Sequence, residues 1–398
     1  MTLLDPLDPA HPRALMRLPG TGWDEFAFAF DDRRIAMIDA RSVSDTEVYV
    51  YEMDGGKRTR VLPREGETPA HPIASSAPQF SRDGKSLFLT TDRDGEFQRA
   101  ARLDLASGAL EYFGPAEWDV EELSVSPDGK SIAMVINEAG VGTLRIYDAD
   151  TRREIAAPAL PTGRVSGIDW RPDASELAFN LQSAQGPSEV WSFVPASRTT
   201  VQWTQNQVPG LDARQFASAQ PIAWQSFDGR TIHGFVTRPP ARFAGKRPVV
   251  IDIHGGPEGQ SRPGFNGRWN YLIDQMGVAI VEPNVRGSLG YGKTFVGLDN
   301  GRLREDSVKD IGTLLDWVAK DPALDATRVV VVGGSYGGYM SLAVATRYRD
   351  RMAGAVDVVG IAHFVTFLEN TESYRRDLRR VEYGDERDPA MRAFLTSI

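Results

Sequence analysis

Through the first half of the chain, apolar and polar residues alternate in short runs that break at turns of recurring composition. Phe26-Ala27-Phe28-Ala29-Phe30 enters the turn Asp31-Asp32-Arg33-Arg34, and Ile35-Ala36-Met37 leaves it. Ser81-Arg82-Asp83-Gly84-Lys85, Ser126-Pro127-Asp128-Gly129-Lys130 and Arg171-Pro172-Asp173-Ala174-Ser175 occupy the same place between two such runs. The aspartates of these last three turns recur about every 45 residues, and the first turn lies about 52 residues ahead of the second. A strand enters each turn and an alternating strand leaves it. Thr143-Leu144-Arg145-Ile146-Tyr147 marks a third strand, and Asp148-Ala149-Asp150-Thr151 turns into a fourth. Four short strands per repeat is the period of a β-propeller blade, whereas a β-sandwich has no recurring unit with one turn in one place. About four blades are predicted over residues 20–205.

The pattern changes after the polar stretch Thr204-Gln205-Asn206-Gln207. Pro221–Ser226 and Thr231–Val236 flank Phe227-Asp228-Gly229-Arg230 as a hairpin. Beyond it, continuous apolar runs (Pro248–Ile253, Val278–Val281, Val329–Val332, Ala353–Val356) alternate with helical periodicity. Such runs predict a mostly parallel sheet buried on both faces, an α/β arrangement. One helix is expected to begin at a capping box formed by Ser307 and Asp310. It carries Val308, Ile311, Leu314, Leu315 and Val318 on its apolar face and stops at Asp321-Pro322. The chain therefore divides into residues 1–205, propeller repeats, and residues 206–398, an α/β domain.

Composition narrows the partners. With 398 residues, two domains are the expectation. A net charge of −9 argues against nucleic acid, which needs a basic face. The absence of cysteine excludes thiolate nucleophiles, disulfides and Cys-ligated metals. No apolar run is long enough for a membrane span, and Met1–Pro6 lacks the features of a signal peptide, so the sequence reads as soluble and cytoplasmic. A lost N-terminal leader would make it periplasmic or secreted. No metal or organic cofactor is indicated, and a homo-oligomer is compatible with the composition.

The chemistry concentrates at Gly333-Gly334-Ser335-Tyr336-Gly337-Gly338. A serine hydroxyl is a weak nucleophile that needs a base and an exposed position. A tight strand-to-helix turn supplies the exposure, and flanking glycines avoid collisions with the neighbouring strand and helix. Val329–Val332 is the strand, Gly333-x-Ser335-x-Gly337 the elbow, and the helix is expected from Tyr339 to about Tyr348. His254-Gly255-Gly256-Pro257 directly follows another strand, as an oxyanion loop does in the α/β-hydrolase fold. The Tyr336 and Gly256 backbone N–H groups are the expected oxyanion donors, a contribution of several kcal/mol to acyl transfer. His254 precedes the serine, against the chain order Ser, Asp or Glu, His. It is expected to orient the loop rather than to act as base.

Three motifs resemble the prolyl oligopeptidase family: His254-Gly255-Gly256-Pro257, Asn284-Val285-Arg286-Gly287-Ser288 with Gly290-Tyr291-Gly292, and Gly333-Gly334-Ser335-Tyr336-Gly337-Gly338-Tyr339-Met340. The histidine at 254 and the Ser-Tyr-Gly-Gly-Tyr form are most similar to the acylaminoacyl-peptidase branch, since the prolyl-oligopeptidase and dipeptidyl-peptidase branches carry tyrosine there. The resemblance implies a β-propeller followed by an α/β-hydrolase domain, and a serine peptidase whose propeller limits access to short peptides.

The resemblance also implies an acid and a histidine beyond a segment like Glu382-Tyr383-Gly384-Asp385. Only His363 of the five histidines follows Ser335, at a position that leaves no room for the acid-bearing strand, and Asp357 is expected to be structural. The expectation is a chain cut at both ends, with part of a propeller and an incomplete hydrolase sheet ending on an open apolar edge. An esterase, or an inactive propeller that binds partners, is the alternative. Glu121-Glu122 is weighed as a pair for a substrate's free amino terminus against an ordinary solvated pair. Arg286 is expected to fix its loop, and Arg375–Arg387 to be a solvated helix face.

Overall fold

The structure is a computed structural model that describes residues 1–19, 22–206 and 212–398. A hairpin, β1 (Thr2–Asp5) and β2 (Asp8–Ala14), opens the chain without a counterpart in the sequence reading. Four antiparallel four-stranded sheets follow among the described residues. The first holds β3 (Trp23–Phe28), β4 (Arg34–Ser42), β5 (Asp45–Glu52) and β6 (Arg58–Leu62). The second holds β7 (Ser75–Phe80), β8 (Ser86–Thr91), β9 (Arg99–Asp104) and β10 (Leu110–Tyr112). The third holds β11 (Asp119–Val125), β12 (Ser131–Glu138), β13 (Val141–Asp148) and β14 (Glu154–Ala156). The fourth holds β15 (Gly163–Trp170), β16 (Leu177–Ser183), β17 (Gly186–Val194) and β18 (Thr199–Gln202).

The recurring turn has a local cause. Asp83 Oδ1 accepts from Ser81 Oγ at 2.7 Å and from the Lys85 N–H at 3.0 Å, so the carboxylate closes the turn between β7 and β8. Asp128 repeats both bonds with Ser126 and Lys130, and Asp173 caps Ser175 in the same way. The sheets pack in sequence. Ile38, Val48, Phe80 and Leu87 share one core, and Phe88, Val120, Ile132 and Met134 the next. A third joins Val135 and Ile146 to Leu177 and Phe179.

The polar stretch at which the pattern changes runs into residues 207–211, outside the described residues. A six-stranded mixed sheet follows, in the order β19-β20-β22-β21-β23-β24. Its strands are β19 (Gln220–Gln225), β20 (Thr231–Thr237), β21 (Arg247–Ile253), β22 (Ala279–Asn284), β23 (Leu324–Gly334) and β24 (Gly354–Val358). The expected hairpin is β19–β20, antiparallel, and β22, β21, β23 and β24 run parallel. The helices are α1 (Trp269–Met276), α2 (Lys293–Val296), α3 (Arg304–Lys320), α4 (Tyr336–Arg347), α5 (Phe364–Asn370), α6 (Ser373–Tyr383) and α7 (Pro389–Ser397). Val249, Ile251, Val281, Val329 and Val331 form the sheet's part of a core completed by Ile311, Leu314 and Val318 of α3 and Met340 of α4. β24 is exposed, with Val356, Val358 and Val359 open on the sheet's edge, so burial on both faces holds for the inner strands and not for this one.

Two expectations fail, wholly or in part, for the same reason. α3 begins at Arg304, a turn ahead of the expected capping box, and has no side-chain cap. Ser307 and Asp310 are buried inside it and spend their oxygens on distant partners, Tyr336 and Arg286. The Arg375–Arg387 stretch is a solvated face only in part: Asp377 and Arg387 are exposed, whereas Glu382, Tyr383 and Glu386 are each at most 3% exposed. The buried part closes over the His254–Pro257 loop, to which Tyr383 and Arg379 are bonded. Among the described residues no helix is long and apolar enough to cross a membrane.

Candidate active site

Ser335 stands between β23 and α4 at φ 57° and ψ −118°, a conformation side chains rarely adopt. Holding it there costs about 1–3 kcal/mol, which the surroundings must supply. The Ser335 N–H donates to the Val358 carbonyl at 3.0 Å, and the Gly338 and Tyr339 N–H groups donate to the Ser335 carbonyl. Ser335 is exposed and its side chain makes no capping bond to the helix that starts behind it. That helix begins at Tyr336, earlier than the sequence suggested.

The glycines of the elbow have separate reasons. A Cβ at Gly333 would run into the Gly337 backbone, one at Gly337 into the Ile253 carbonyl, and one at Gly338 into Asp357 and Gly360. Gly334 has only ordinary contact, 3.7 Å to the Val358 carbonyl.

The loop after β21 lies against this turn. A Cβ at Gly255 would stand 3.1 Å from the Gly334 carbonyl and 3.5 Å from Ser335 Cβ. Gly256, with φ +127°, is confined instead by the N–H groups of Glu258 and Gly259 in its own loop. Close approach therefore explains Gly255, and loop conformation explains Gly256. Neither the Gly256 nor the Tyr336 N–H has an acceptor among the described residues. Two unpaired backbone donors beside an exposed, strained serine suit a developing oxyanion.

His254 Nδ1–H donates to the Gly255 carbonyl at 2.8 Å, and Nε2 lies 2.9 Å from Ser288 Oγ. Burial pushes its pKa down, so the ring is neutral and orients the loop peptide. Arg286, 3% exposed, fixes the adjoining loop: its Nη2 and Nε reach the two Asp310 oxygens at 2.7 and 3.0 Å, and Asp228 joins them.

A cavity of about 630 Å³ opens at Ser335, lined by Ile361, His363 and Phe367 among others. His363 Nδ1 accepts from the Thr366 N–H at 3.2 Å, capping α5. Nδ1 also lies 2.8 Å from Thr366 Oγ1, so this nitrogen is engaged by the first turn of α5. His233 stacks on Tyr291, and His11 pairs with Asp8 on the first hairpin. Asp357 accepts from the Gly360 N–H and closes the turn after β24.

Glu121 and Glu122 are neither a free pair nor merely solvated. Glu121 takes Arg262 Nη1 through both oxygens at 2.8 and 2.7 Å and also accepts from Asn137. Glu122 accepts from the Gly167 and Ile168 N–H groups of the next sheet.

Residues 263–394, which contain the elbow, match the sequence model of the prolyl oligopeptidase family. Proteins similar to the chain include dipeptidyl aminopeptidase BIII of Pseudoxanthomonas mexicana, 25% identical over 83% of this chain and 50% of that protein. Another is the acylamino-acid-releasing enzyme of Arabidopsis thaliana, 24% identical over 69% of this chain and 32% of that one. The chain thus spans about half the length, or less, of these curated relatives. The crystal structure of a puromycin hydrolase superposes with a TM-score of 0.84 at 18% identity, over 97% of this chain and 60% of that one, which shows a shared fold. In that shared fold the small antiparallel sheets correspond to propeller sheets and the mixed sheet to a hydrolase core.

The site residue that sequence reasoning missed is Tyr383, whose hydroxyl donates to the Gly256 carbonyl at 2.8 Å. No local pattern marks it, because its partner lies 127 residues away.

Proposed function

We propose that Ser335 is the nucleophile of a serine peptidase acting on short peptides, with the Tyr336 and Gly256 N–H groups as its oxyanion hole. The observation that carries this reading is the strained, exposed serine beside two backbone donors without acceptors. Ser335 Oγ attacks the peptide carbonyl, its proton passes to an imidazole base, and the carbonyl electron pair moves onto the oxygen between the two N–H groups. Collapse expels the amine, which takes the proton, and water releases the acyl group by the same steps. The base is not assigned to any of the five histidines in these residues. Residues 1–205 act as the screen that limits substrate size, and residues 206–398 carry the chemistry.

Acyl-amino-acid release is the better-supported specificity. Glu121 and Glu122 are both engaged by protein groups and leave no free pair for a substrate's amino terminus. The test uses the full-length protein, a fluorophosphonate probe and p-nitroanilides of acylated amino acids and of free dipeptides. Wild type is expected to be labelled and to prefer the acylated substrates, while Ser335→Ala loses labelling and about 10⁴-fold or more of turnover. Labelling that persists in Ser335→Ala overturns the assignment.

A further inference from the structure

The two proposed oxyanion donors sit on different segments, 80 residues apart in the chain (336 − 256), and their relative placement must be held by something other than sequence proximity. We propose that Tyr383 is a positioning residue for the oxyanion hole, acting on Gly256 and coupled to Tyr336 through Arg304. The proposal rests on the reading of Ser335 given above.

Gly256 at φ +127° has the conformational breadth of glycine, so outside contacts must set its peptide planes. On one side His254 holds the Gly255 carbonyl, and in a trans peptide this points the Gly256 N–H the opposite way. On the other side the Gly256 carbonyl accepts from Tyr383 Oη at 2.8 Å and Arg379 Nη1 at 3.4 Å. Without the Tyr383 hydroxyl the second plane keeps only the long arginine contact.

Arg304 carries this constraint across to the other donor. Its guanidinium lies 4.7 Å from the Tyr383 ring and 5.2 Å from the Tyr336 ring, and the side chain is fully buried. Nη2 donates to the Glu382 carbonyl at 2.8 Å, and Nη1 donates to Asp299 Oδ2 at 2.5 Å. The same Asp299 oxygen accepts from Tyr336 Oη at 3.0 Å, and Ser307 Oγ lies 2.8 Å from that hydroxyl. Each donor residue therefore hangs by a tyrosine hydroxyl or ring from one buried cation. Stability alone gives little reason for such a site, because well-packed apolar residues replace a buried ion pair at no loss. Positioning gives one, since a misplacement of about 1 Å costs on the order of 10²-fold in rate.

Tyr383→Phe keeps the ring and removes only the hydroxyl. In the full-length protein we expect kcat on an acyl-aminoacyl p-nitroanilide to fall about tenfold with KM within about twofold. The inhibition constant of a peptidyl boronate, which forms the tetrahedral adduct, rises by the same factor. Tyr336→Phe moves both quantities in the same direction, and the double variant loses less than the product of the two, because both act through Arg304. An unchanged kcat in Tyr383→Phe, or a change confined to KM or to the thermal midpoint, overturns the proposal. Should Tyr383→Phe not accumulate as folded protein, Tyr336→Phe carries the same test with the same two outcomes. Turnover that survives in Ser335→Ala is a different result and would remove the nucleophile reading instead.

Discussion

Glu382, next to Tyr383, is a carboxyl group that keeps its proton at neutral pH. Burial and then repulsion from Glu258 push its pKa up to about 9, against the pull of Arg304 and Arg379. Asp299, raised to about 6 by burial, stays ionised beside Arg304. A folded-state pKa above the unfolded value contributes stability that is complete below the ordinary glutamate value and is lost as pH rises through the folded one. The thermal midpoint is therefore expected to decline between pH 7 and 9, above the range in which Asp299 and His254 titrate. Glu382→Gln, of the same shape, should flatten that decline. An equally steep decline in both proteins would exclude Glu382 as its source. None of this was legible in the sequence, where Arg375–Arg387 reads as a mixed-charge surface. Its partners, Gly256 and Glu258, lie more than 120 residues upstream, and only packing brings them to it.

The recurring turn shows what a local pattern does reveal. The second and third turns place Gly84 and Gly129 at φ +67° and +73°, and the fourth places Ala174 at φ 61°. A left-handed alanine costs about 1–2 kcal/mol that glycine does not. Ala174→Gly is expected to stabilise the protein by about 1 kcal/mol, read as a higher denaturant midpoint at unchanged slope. A lower midpoint would mean that the turn is held by contacts its sequence does not announce. The four sheets were legible because each turn is closed by its own Asp and neighbours two or three residues away. The start of α3 was misread because Ser307 and Asp310 have the composition of a cap but bond to groups 29 and 24 residues distant. The elbow was legible because glycine recurs at 333 and 337: Gly333 is required by the turn's own backbone at Gly337, and Gly337 by the Ile253 carbonyl of β21.

The propeller sheets and the hydrolase domain meet through polar contacts. Arg262 Nη1 reaches Glu121 and its Nε donates to the Gly140 carbonyl, while Asn137 donates to Gln260 at 2.7 Å. Farther along, Lys293 Nζ donates to the Asp92 carbonyl at 2.9 Å, and Thr294 donates to Glu96. Hydrogen bonds to charged groups contribute about 1.5–3 kcal/mol each, enough to set how often the two parts separate. Arg262→Gln is expected to raise the full-length protein's rate on longer peptides several-fold relative to the shortest substrates. A uniform change across substrate lengths would show that this contact does not control access.

The bond from the Ser335 N–H to the Val358 carbonyl also orders events during synthesis. All four propeller sheets precede the elbow in the chain, and the strand that holds the serine in place follows it. A nascent chain paused between residues 335 and 358 contains the serine but not its bond to β24. The small antiparallel sheets emerge from the ribosome first and fold as units in that order. The strained turn at Ser335 is thus completed only after all the sheets that precede it have been made.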